Sequence, residues 1–490
     1  MKTLFLHIGT QKTGTSSLQR FCASNRAVLA QHGFAYPRFP IAFDNVGPSR
    51  NGHFLIGAIK DQDGQRLPEE EHRMRATCFE QLAQTFEEHD NVLLSEEQLW
   101  HKPETNTLGV FTGLREWCTQ HDCRLQIVVY LRRQDQFAAS MRGQQIKAGY
   151  RRRQNSLGWE EWLLRHEGIV FDYYSHLERI AAIVGKEHIS VRVYDRAQLE
   201  ERGGIYADFL SCLGLQLTSE YQLPSSQVNV SLTPNIQEIH RIVTTAPDFE
   251  GSYTKTFRTA AVLSSLNAPE PQQPVTLFAP EEAEAFLAQF EEGNERIAAE
   301  YLHQEGPLFE PVISPSVKWT PANPALQGDA ARYFGTVYLL QQLAALGVRL
   351  PLELLHAAAA CAQEPAAPAS VPAPGADTAH GTAHEEAIRA QCAPYLARQH
   401  ALQQRTSAPG ESGQAAPPTF PQEAAAPAPA WLPAAYETIV QGLNATVAQQ
   451  REALREQQAA AAASPAQTKS EPPKRRPALM RLVRKLSTSG

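Results

Sequence analysis

The feature that most constrains the fold is a short β-rich run near the start of the chain, which leads through a glycine-containing loop into an amphipathic helix. The run at residues 3–8 predicts a strand. Leu18, Phe21 and Cys22 share one face of the helix that follows. A loop of this kind brings backbone N–H groups and a helix N-terminus to one point, where they bind phosphate. We therefore expect this strand inside a sheet, with the loop at its carboxyl end.

Three further β-rich runs follow, and segments with helical periodicity separate them. The runs cover residues 91–94, 125–131 and 188–194. Alternating strands and helices are typical of βα units on a parallel sheet. The sequence thus predicts an α/β fold, a parallel sheet flanked by helices, with its ligand site at the carboxyl ends of the strands.

The composition is that of a globular protein with a sizeable core. Of 490 residues, 42% are apolar, and the net charge of −7 gives no overall attraction for nucleic acid. The seven cysteines are scattered, which argues against a zinc site or a disulfide framework and favours a reducing compartment. The chain has neither a signal-peptide pattern nor a run of about 18 apolar residues. We expect a cytoplasmic protein with no nucleic-acid partner.

The composition changes along the chain, and the changes predict three regions. These are a globular domain at 1–312, a small helical appendage at 313–363, and a low-complexity linker with short helices at 364–490. The third region is rich in Ala and Pro and too poor in large apolar residues to form a core, so we expect it to be largely disordered.

Two segments of the third region have a pattern of their own. Residues 435–462 carry apolar side chains at heptad-like positions, which indicates self-association. Residues 474–486 set an apolar stripe against basic residues, a pattern that favours contact with an anionic membrane surface at the inner face of the membrane. A basic tail without a ligand is the alternative for this last segment.

The loop after the first strand departs from the loop of nucleoside triphosphatases. Gly9 and Gly14 have the usual spacing, but Thr15 follows the second glycine where a lysine is expected, and the lysine lies earlier, at Lys12. A P-loop kinase would also need a strand-end aspartate for Mg²⁺, which the sequence does not offer. Kinase activity therefore remains the less favoured alternative, together with a non-catalytic scaffold.

The loop resembles the 5′-phosphosulfate loop of the cytosolic and Golgi sulfotransferases and their bacterial relatives. The resemblance implies a P-loop-like enzyme that uses 3′-phosphoadenosine 5′-phosphosulfate (PAPS) and no metal. It also implies that Lys12 lies beside the oxygen that bridges phosphate and sulfonyl group, while Thr13, Thr15 and Ser16 bind the 5′-phosphate. The residues assigned to the loop site are Gly9, Lys12, Thr13, Gly14, Thr15 and Ser16.

The second half of the donor site follows the predicted strand at 125–131. Arg132 and Ser140 match the arginine and serine that hold the 3′-phosphate in the family resembled. Gln134 replaces a proline that many members carry, so Arg133 is a reserve candidate. Ser17 occupies the place of a tryptophan that stacks on adenine in the small-molecule branch, which places this chain with the carbohydrate-type branch.

The acceptor hydroxyl must lose a proton during transfer, and the predicted strand at 91–94 leads to two glutamates. The resemblance implies Glu97 as the base, with Glu96 as a substitute if the turn shifts by one residue. His53 is a rival base, and both glutamates have a further interpretation as caps of the next helix. Because carbohydrate sulfotransferases of the family resembled use a glutamate as base, the resemblance also implies a carbohydrate hydroxyl as the acceptor. A basic run at residues 147–153 either forms a solvated face or attracts an anionic acceptor.

Overall fold

The computed structural model describes most of residues 1–345. Positions 44–45, 102–106, 150–154, 166–167, 225–230, 247–248, 250–253, 267, 269–270, 272, 311–315, 321–322 and 324 are excepted. The linker predicted at 364–490, with its segments at 435–462 and 474–486, lies outside the described residues, as does most of the basic run at 147–153.

A five-stranded sheet with parallel pairing throughout forms the centre of the chain, in the order β2-β3-β1-β4-β5. The strands are β1 (Lys2–His7), β2 (Phe34–Ala35), β3 (Asn91–Ser95), β4 (Cys123–Leu131) and β5 (Ile189–Val193). The predicted fold class and the four predicted strands are confirmed. The sequence pattern missed β2, because two residues are too few to show a periodicity.

The middle strands are buried on both faces, as the continuous apolar runs of β1, β3 and β4 require. Leu6 pairs in register with Leu94 of β3 and with Ile127 of β4, and all three side chains are fully buried. Burying side chains of this size stabilises the fold by about 1.5–3 kcal/mol each. The register also aligns the ends of these three strands, from which the candidate site residues project.

Helices connect the strands. They are α1 (Thr15–Ser24), α2 (Arg26–Gln31), α3 (Pro68–Glu88), α4 (Thr107–Gln120), α5 (Gln134–Ala148), α6 (Trp159–Arg165), α7 (Tyr173–Val184), α8 (Arg196–Glu201), α9 (Ile205–Cys212), α10 (Pro234–Thr245), α11 (Thr254–Leu266), α12 (Pro280–Ala288), α13 (Glu291–Tyr301) and α14 (Ala325–Ala345). A small parallel pair joins β6 (Val275–Thr276) to β7 (Val317–Lys318). None of the described helices is long and apolar enough to cross a lipid bilayer.

The chain divides into two compact units. Within the described residues, the first comprises Met1–Gln144, Leu157–Asn229 and Gln272–Trp319, and the second comprises Gln145–Ser156, Val230–Pro271 and the residues from Thr320 to Ala345. The first unit contains the five-stranded sheet. The second packs α10, α11 and α14 around Ile239, Phe257 and Tyr333, and the Tyr333 hydroxyl lies 2.7 Å from His240 Nδ1. The boundaries predicted at residues 312 and 363 stay predictions.

A buried carboxylate fastens α9 to the sheet. Asp208 accepts a hydrogen bond from the Tyr130 hydroxyl at 2.7 Å and forms an ion pair with Arg192, whose Nε donates at 3.0 Å. The Asp208 side chain is fully buried, so its charge depends on these partners.

We predict that Asp208→Ala lowers the free energy of unfolding of the sheet-containing unit by about 3–5 kcal/mol, because it leaves Arg192 without its partner. Chemical denaturation followed by tryptophan fluorescence measures the loss. As a control, Tyr130→Phe removes one donor to the carboxylate but keeps the ion pair, so it should cost less, about 1.5–3 kcal/mol. Equal losses in the two variants would contradict the importance of the ion pair.

Candidate active site

The loop between β1 and α1 continues the pairing of β1 with β4. Tyr130 N donates to Gly9 O at 2.7 Å, and Thr10 N donates to Tyr130 O at 2.9 Å. Inside the loop, the buried Thr13 hydroxyl donates to Thr10 O at 2.7 Å. The backbone takes left-handed φ angles of 100° at Gly9 and 63° at Lys12. Backbone hydrogen bonds to Tyr130 therefore fix the position of the loop, and the hydrogen bond of the Thr13 hydroxyl stabilises its shape.

Within the described part of the chain, no side chain caps the N-terminus of α1. Gly14, with φ of 78°, is the residue before the helix and offers no side chain to the first N–H groups. The first turn has no acidic residue. Thr15 is buried and Ser16 is partly exposed at this end of the helix. Because N–H groups and the helix dipole both favour negative charge, this end suits a phosphate group.

Two cationic side chains lie at the loop, Arg132 beside it and Lys12 within it. Arg132 Nη1 donates to the carbonyl oxygen of Lys12 at 3.2 Å, and its guanidinium lies 5.7 Å from the ring centroid of Tyr194. Lys12 Nζ donates to Gln144 Oε1 at 3.3 Å. Burial lowers the pKa of the Arg132 guanidinium, which shows that its charge is incompletely solvated. A bound anion would offset that cost.

The neighbours of Arg132 have structural partners. Arg133 forms an ion pair with Asp135 at 2.8 Å, so the reserve candidate is already engaged. Gln134 and Asn294 exchange side-chain hydrogen bonds of 2.8 and 3.2 Å. Ser140 lies partly exposed in α5, and among the described residues no hydrogen bond joins it to the loop. The role predicted for Ser140 stays a prediction.

Glu96 lies in a buried cluster of charges. Its carboxylate forms an ion pair with Arg50 and lies 2.9 Å from His53 Nδ1, and it accepts a hydrogen bond from the backbone N–H of Gln98 at 2.8 Å. Burial by itself raises the pKa of Glu96, but the contacts with His53 and Arg50 outweigh it and hold the pKa below its usual range. Glu96 therefore caps a short 3-10 helix, Glu97–Trp100, and is a fixed anion with His53 as a partner.

Glu97 lies against the loop. A methyl group on Gly9 would come within 3.1 Å of Glu97 Cβ. Glu97 Oε2 accepts a hydrogen bond from Gln19 Nε2 at 2.7 Å, and Oε1 lies 3.3 Å from Arg50 Nη1. Burial raises the pKa of Glu97 and the Arg50 charge opposes it, with a net rise. The structure therefore brings Glu97 next to the loop.

Sequence reasoning missed Arg50 and Gln19. Arg50 contacts glutamates 46 and 47 positions further along the chain, and no motif connects them. Gln19 gave one weak signal in the sequence, since it is a polar residue beside the apolar face of α1. In the structure its side chain is only 4% exposed.

A cavity of about 860 Å³ lies elsewhere in the same unit, against α6, α7 and α12. Its lining is mainly apolar and includes Trp159, Phe171, Phe278 and Phe286. None of the predicted site residues lines it. Within the described part of the chain, no group of three His, Cys, Asp or Glu side chains is placed to hold a metal ion.

Comparison with known proteins gives two similarities, and no family model matches the chain. An uncharacterised protein of Archaeoglobus fulgidus is 30% identical over 178 residues, which are 36% of this chain. The match spans less than half of that relative, 45% of its length. The crystal structure of a sulfotransferase from Alicyclobacillus acidocaldarius aligns over 50% of this chain and 92% of its own, with a TM-score of 0.28 and 16% identity.

The close contact beside Gly14 allows a test of how tightly α9 packs against the loop. A methyl group on Gly14 would lie 2.5 Å from Ile205 Cδ1, whereas one on Gly33, which has the same φ of 78°, would meet no atom within 4 Å. The two positions thus share the backbone strain and differ in the side-chain clash.

We predict that Gly33→Ala lowers stability by about 1–2 kcal/mol through its left-handed backbone alone. Gly14→Ala should lose a further 1–3 kcal/mol or so from the clash with Ile205. Thermal unfolding measures both variants, and adding Ile205→Ala to Gly14→Ala should recover part of the difference. Equal losses at Gly14 and Gly33 would contradict the close packing of α9 against the loop.

Proposed function

We propose that this chain is a sulfotransferase that moves a sulfonyl group from PAPS to a hydroxyl of a carbohydrate. The observation that carries the proposal is the meeting of three groups at the carboxyl edge of adjacent strands. Arg132 after β4 contacts the carbonyl oxygen of Lys12 at 3.2 Å, and Glu97 after β3 packs against Gly9 of the same loop. A cation, an anion-binding helix end and a base thus surround one loop.

The donor fits the groups around the loop. The N-terminus of α1 suits the 5′-phosphate, with Thr15 and Ser16 nearby, and Arg132 suits the 3′-phosphate through its planar pair of donors. Ser140 is proposed as a further ligand of the 3′-phosphate. The Thr13 hydroxyl donates to Thr10 O, so we assign Thr13 to the phosphate through its backbone N–H.

The reaction requires the acceptor to lose a proton as it attacks sulfur. Glu97 takes that proton, a bond forms between the acceptor oxygen and sulfur, and the bond from sulfur to the bridging oxygen breaks. Negative charge then develops on the bridging oxygen, where the Lys12 ammonium group stabilises it. The products are a sulfate ester and adenosine 3′,5′-bisphosphate. Glu96 is less suited as the base, because Arg50 and His53 already hold its charge.

The proposal is tested by incubating the full chain with ³⁵S-labelled PAPS and a panel of glycans. We expect labelled ester on at least one glycan and release of adenosine 3′,5′-bisphosphate. Transfer from γ-³²P-labelled ATP in place of transfer from PAPS would show kinase activity and overturn the proposal.

Removal of the lysine charge should slow the transfer itself. We predict that Lys12→Ala lowers kcat by about 10²–10³-fold, the usual loss for a stabiliser of the transition state. The rate of label transfer measures the effect. Lys60→Ala, which removes an exposed lysine outside the site, should keep the wild-type rate. Near wild-type turnover in Lys12→Ala would refute the role of this lysine.

Activity should depend on the ionisation of Glu97. A base must be ionised, and burial raises the pKa of Glu97, so turnover should fall on acidification at a higher pH than an ordinary glutamate would give. Glu97→Gln should lower kcat by about 10²-fold or more and abolish this acid limb, which a pH profile of kcat/KM measures.

The matched control for Glu97→Gln is Glu96→Gln. Glu96 has a lowered pKa and is ionised throughout this pH range, so its variant should lose stability but retain the acid limb. Loss of the limb in Glu96→Gln or His53→Ala would move the base to that residue.

A further inference from the structure

A buried amide contacts the proposed base. Gln19 lies on α1, five residues after Gly14, and is only 4% exposed. Its Nε2 atom donates to Glu97 Oε2 at 2.7 Å and to Ser95 Oγ at 3.3 Å. Both hydrogens of the amide nitrogen are therefore used, and they fix which end of the amide faces the carboxylate.

Ser95, the second acceptor of the Gln19 amide, also contacts a buried histidine. Ser95 Oγ lies 2.9 Å from His7 Nδ1, and His7 is fully buried at the end of β1. Burial lowers the pKa of His7 to about 4, so the imidazole is neutral at pH 7. Because the serine oxygen accepts from Gln19, its own proton is available for His7 Nδ1. The hydrogen bonds thus run from the Gln19 amide through Ser95 to His7 at the end of β1.

We propose that Gln19 is a positioning residue that holds the carboxylate of Glu97 in one orientation against the loop for proton transfer. This inference rests on the proposed function, since it assigns Gln19 a role through the base. The geometry supports it, because a hydrogen bond from Gln19 at Oε2 and an ion pair with Arg50 at Oε1 hold the carboxylate from two sides. An amide with both hydrogens engaged cannot rotate away without losing two hydrogen bonds.

The charges around Glu97 come from several elements. Arg50 lowers its pKa and the adjacent Glu96 raises it, while the Tyr36 hydroxyl also lies within range of its charge. His53 acts on Glu96, and His7 is neutral. The hydrogen bond from Gln19 favours the ionised form of Glu97. A substitution at Gln19 leaves all these charged groups in place. A change in the pKa of Glu97 in such a variant therefore measures the loss of the hydrogen bond from the Gln19 amide.

Gln19→Met keeps the length of the side chain and removes its donors. We expect kcat to fall by about 10–100-fold, the usual effect of losing a group that orients a reacting one. The KM for PAPS should stay within about twofold, since Gln19 does not touch the donor in the proposed function. The acid limb of the pH profile should move to higher pH, because the lost bond stabilised the ionised carboxylate.

The graded comparison is Ser95→Ala, which removes the second acceptor but keeps the bond between Gln19 and Glu97. Its kcat should fall by only about 2–10-fold, less than in Gln19→Met, because the amide keeps one of its two hydrogen bonds. Gln19→Leu should give the same fall in kcat as Gln19→Met. Agreement between the two variants shows that the effect comes from the lost hydrogen bonds and not from the packing of one replacement side chain. Binding of adenosine 3′,5′-bisphosphate verifies that each variant is folded.

A second readout separates this inference from the proposed function. Carbon-13 NMR of protein labelled at the glutamate carboxyl carbon follows the titration of Glu97, whose signal is assigned by its loss in Glu97→Gln. An upward shift in Gln19→Met supports the positioning contact even if no sulfonyl transfer is detected, in which case only the proposed function fails. Unchanged titration and unchanged kcat in Gln19→Met, with transfer intact in the wild type, would overturn the inference.

Discussion

Backbone hydrogen bonds that extend the pairing of β1 and β4 beyond the last residue of β1 fix the position of the loop. Ile8 N donates to Val128 O at 3.0 Å, and two further bonds link Gly9 and Thr10 to Tyr130. On the other side of β1, Glu96 N donates to His7 O at 2.9 Å. Since the three strands run in parallel, these bonds bring the segments after β3 and β4 to the same loop.

Two adjacent glutamates acquire different properties from this arrangement. The turn after β3 directs Glu96 into a buried cluster with Arg50 and His53, and it directs Glu97 toward the loop and Gln19. Both carboxylates are desolvated, but only Glu96 has enough donors to overcome the cost of burial. A pair of acids whose environments drive their pKa values apart is typical of sites that transfer protons.

Local patterns in the sequence predicted much of this structure. Periodicity predicted the four longer strands, and the spacing of Gly9, Lys12 and Gly14 predicted the loop, because both depend on neighbouring residues. The contacts that complete the site are not local. Gln19 and Glu97 are separated by 78 positions, and no pattern links Arg50 to Glu97. The direction of the turn after β3, which brings Glu97 against Gln19, therefore also has no local signal.

In the proposed function, the loop and Arg132 together recognise a nucleotide with phosphates at both the 5′ and the 3′ position. Isothermal titration calorimetry of the full chain with adenosine 3′,5′-bisphosphate, adenosine 5′-monophosphate and ATP measures this most directly. We expect the bisphosphate to bind at least about tenfold more tightly than the monophosphate, since hydrogen bonds to a charged group contribute about 1.5–3 kcal/mol. Equal affinity for the two nucleotides, or tighter binding of ATP, would contradict it.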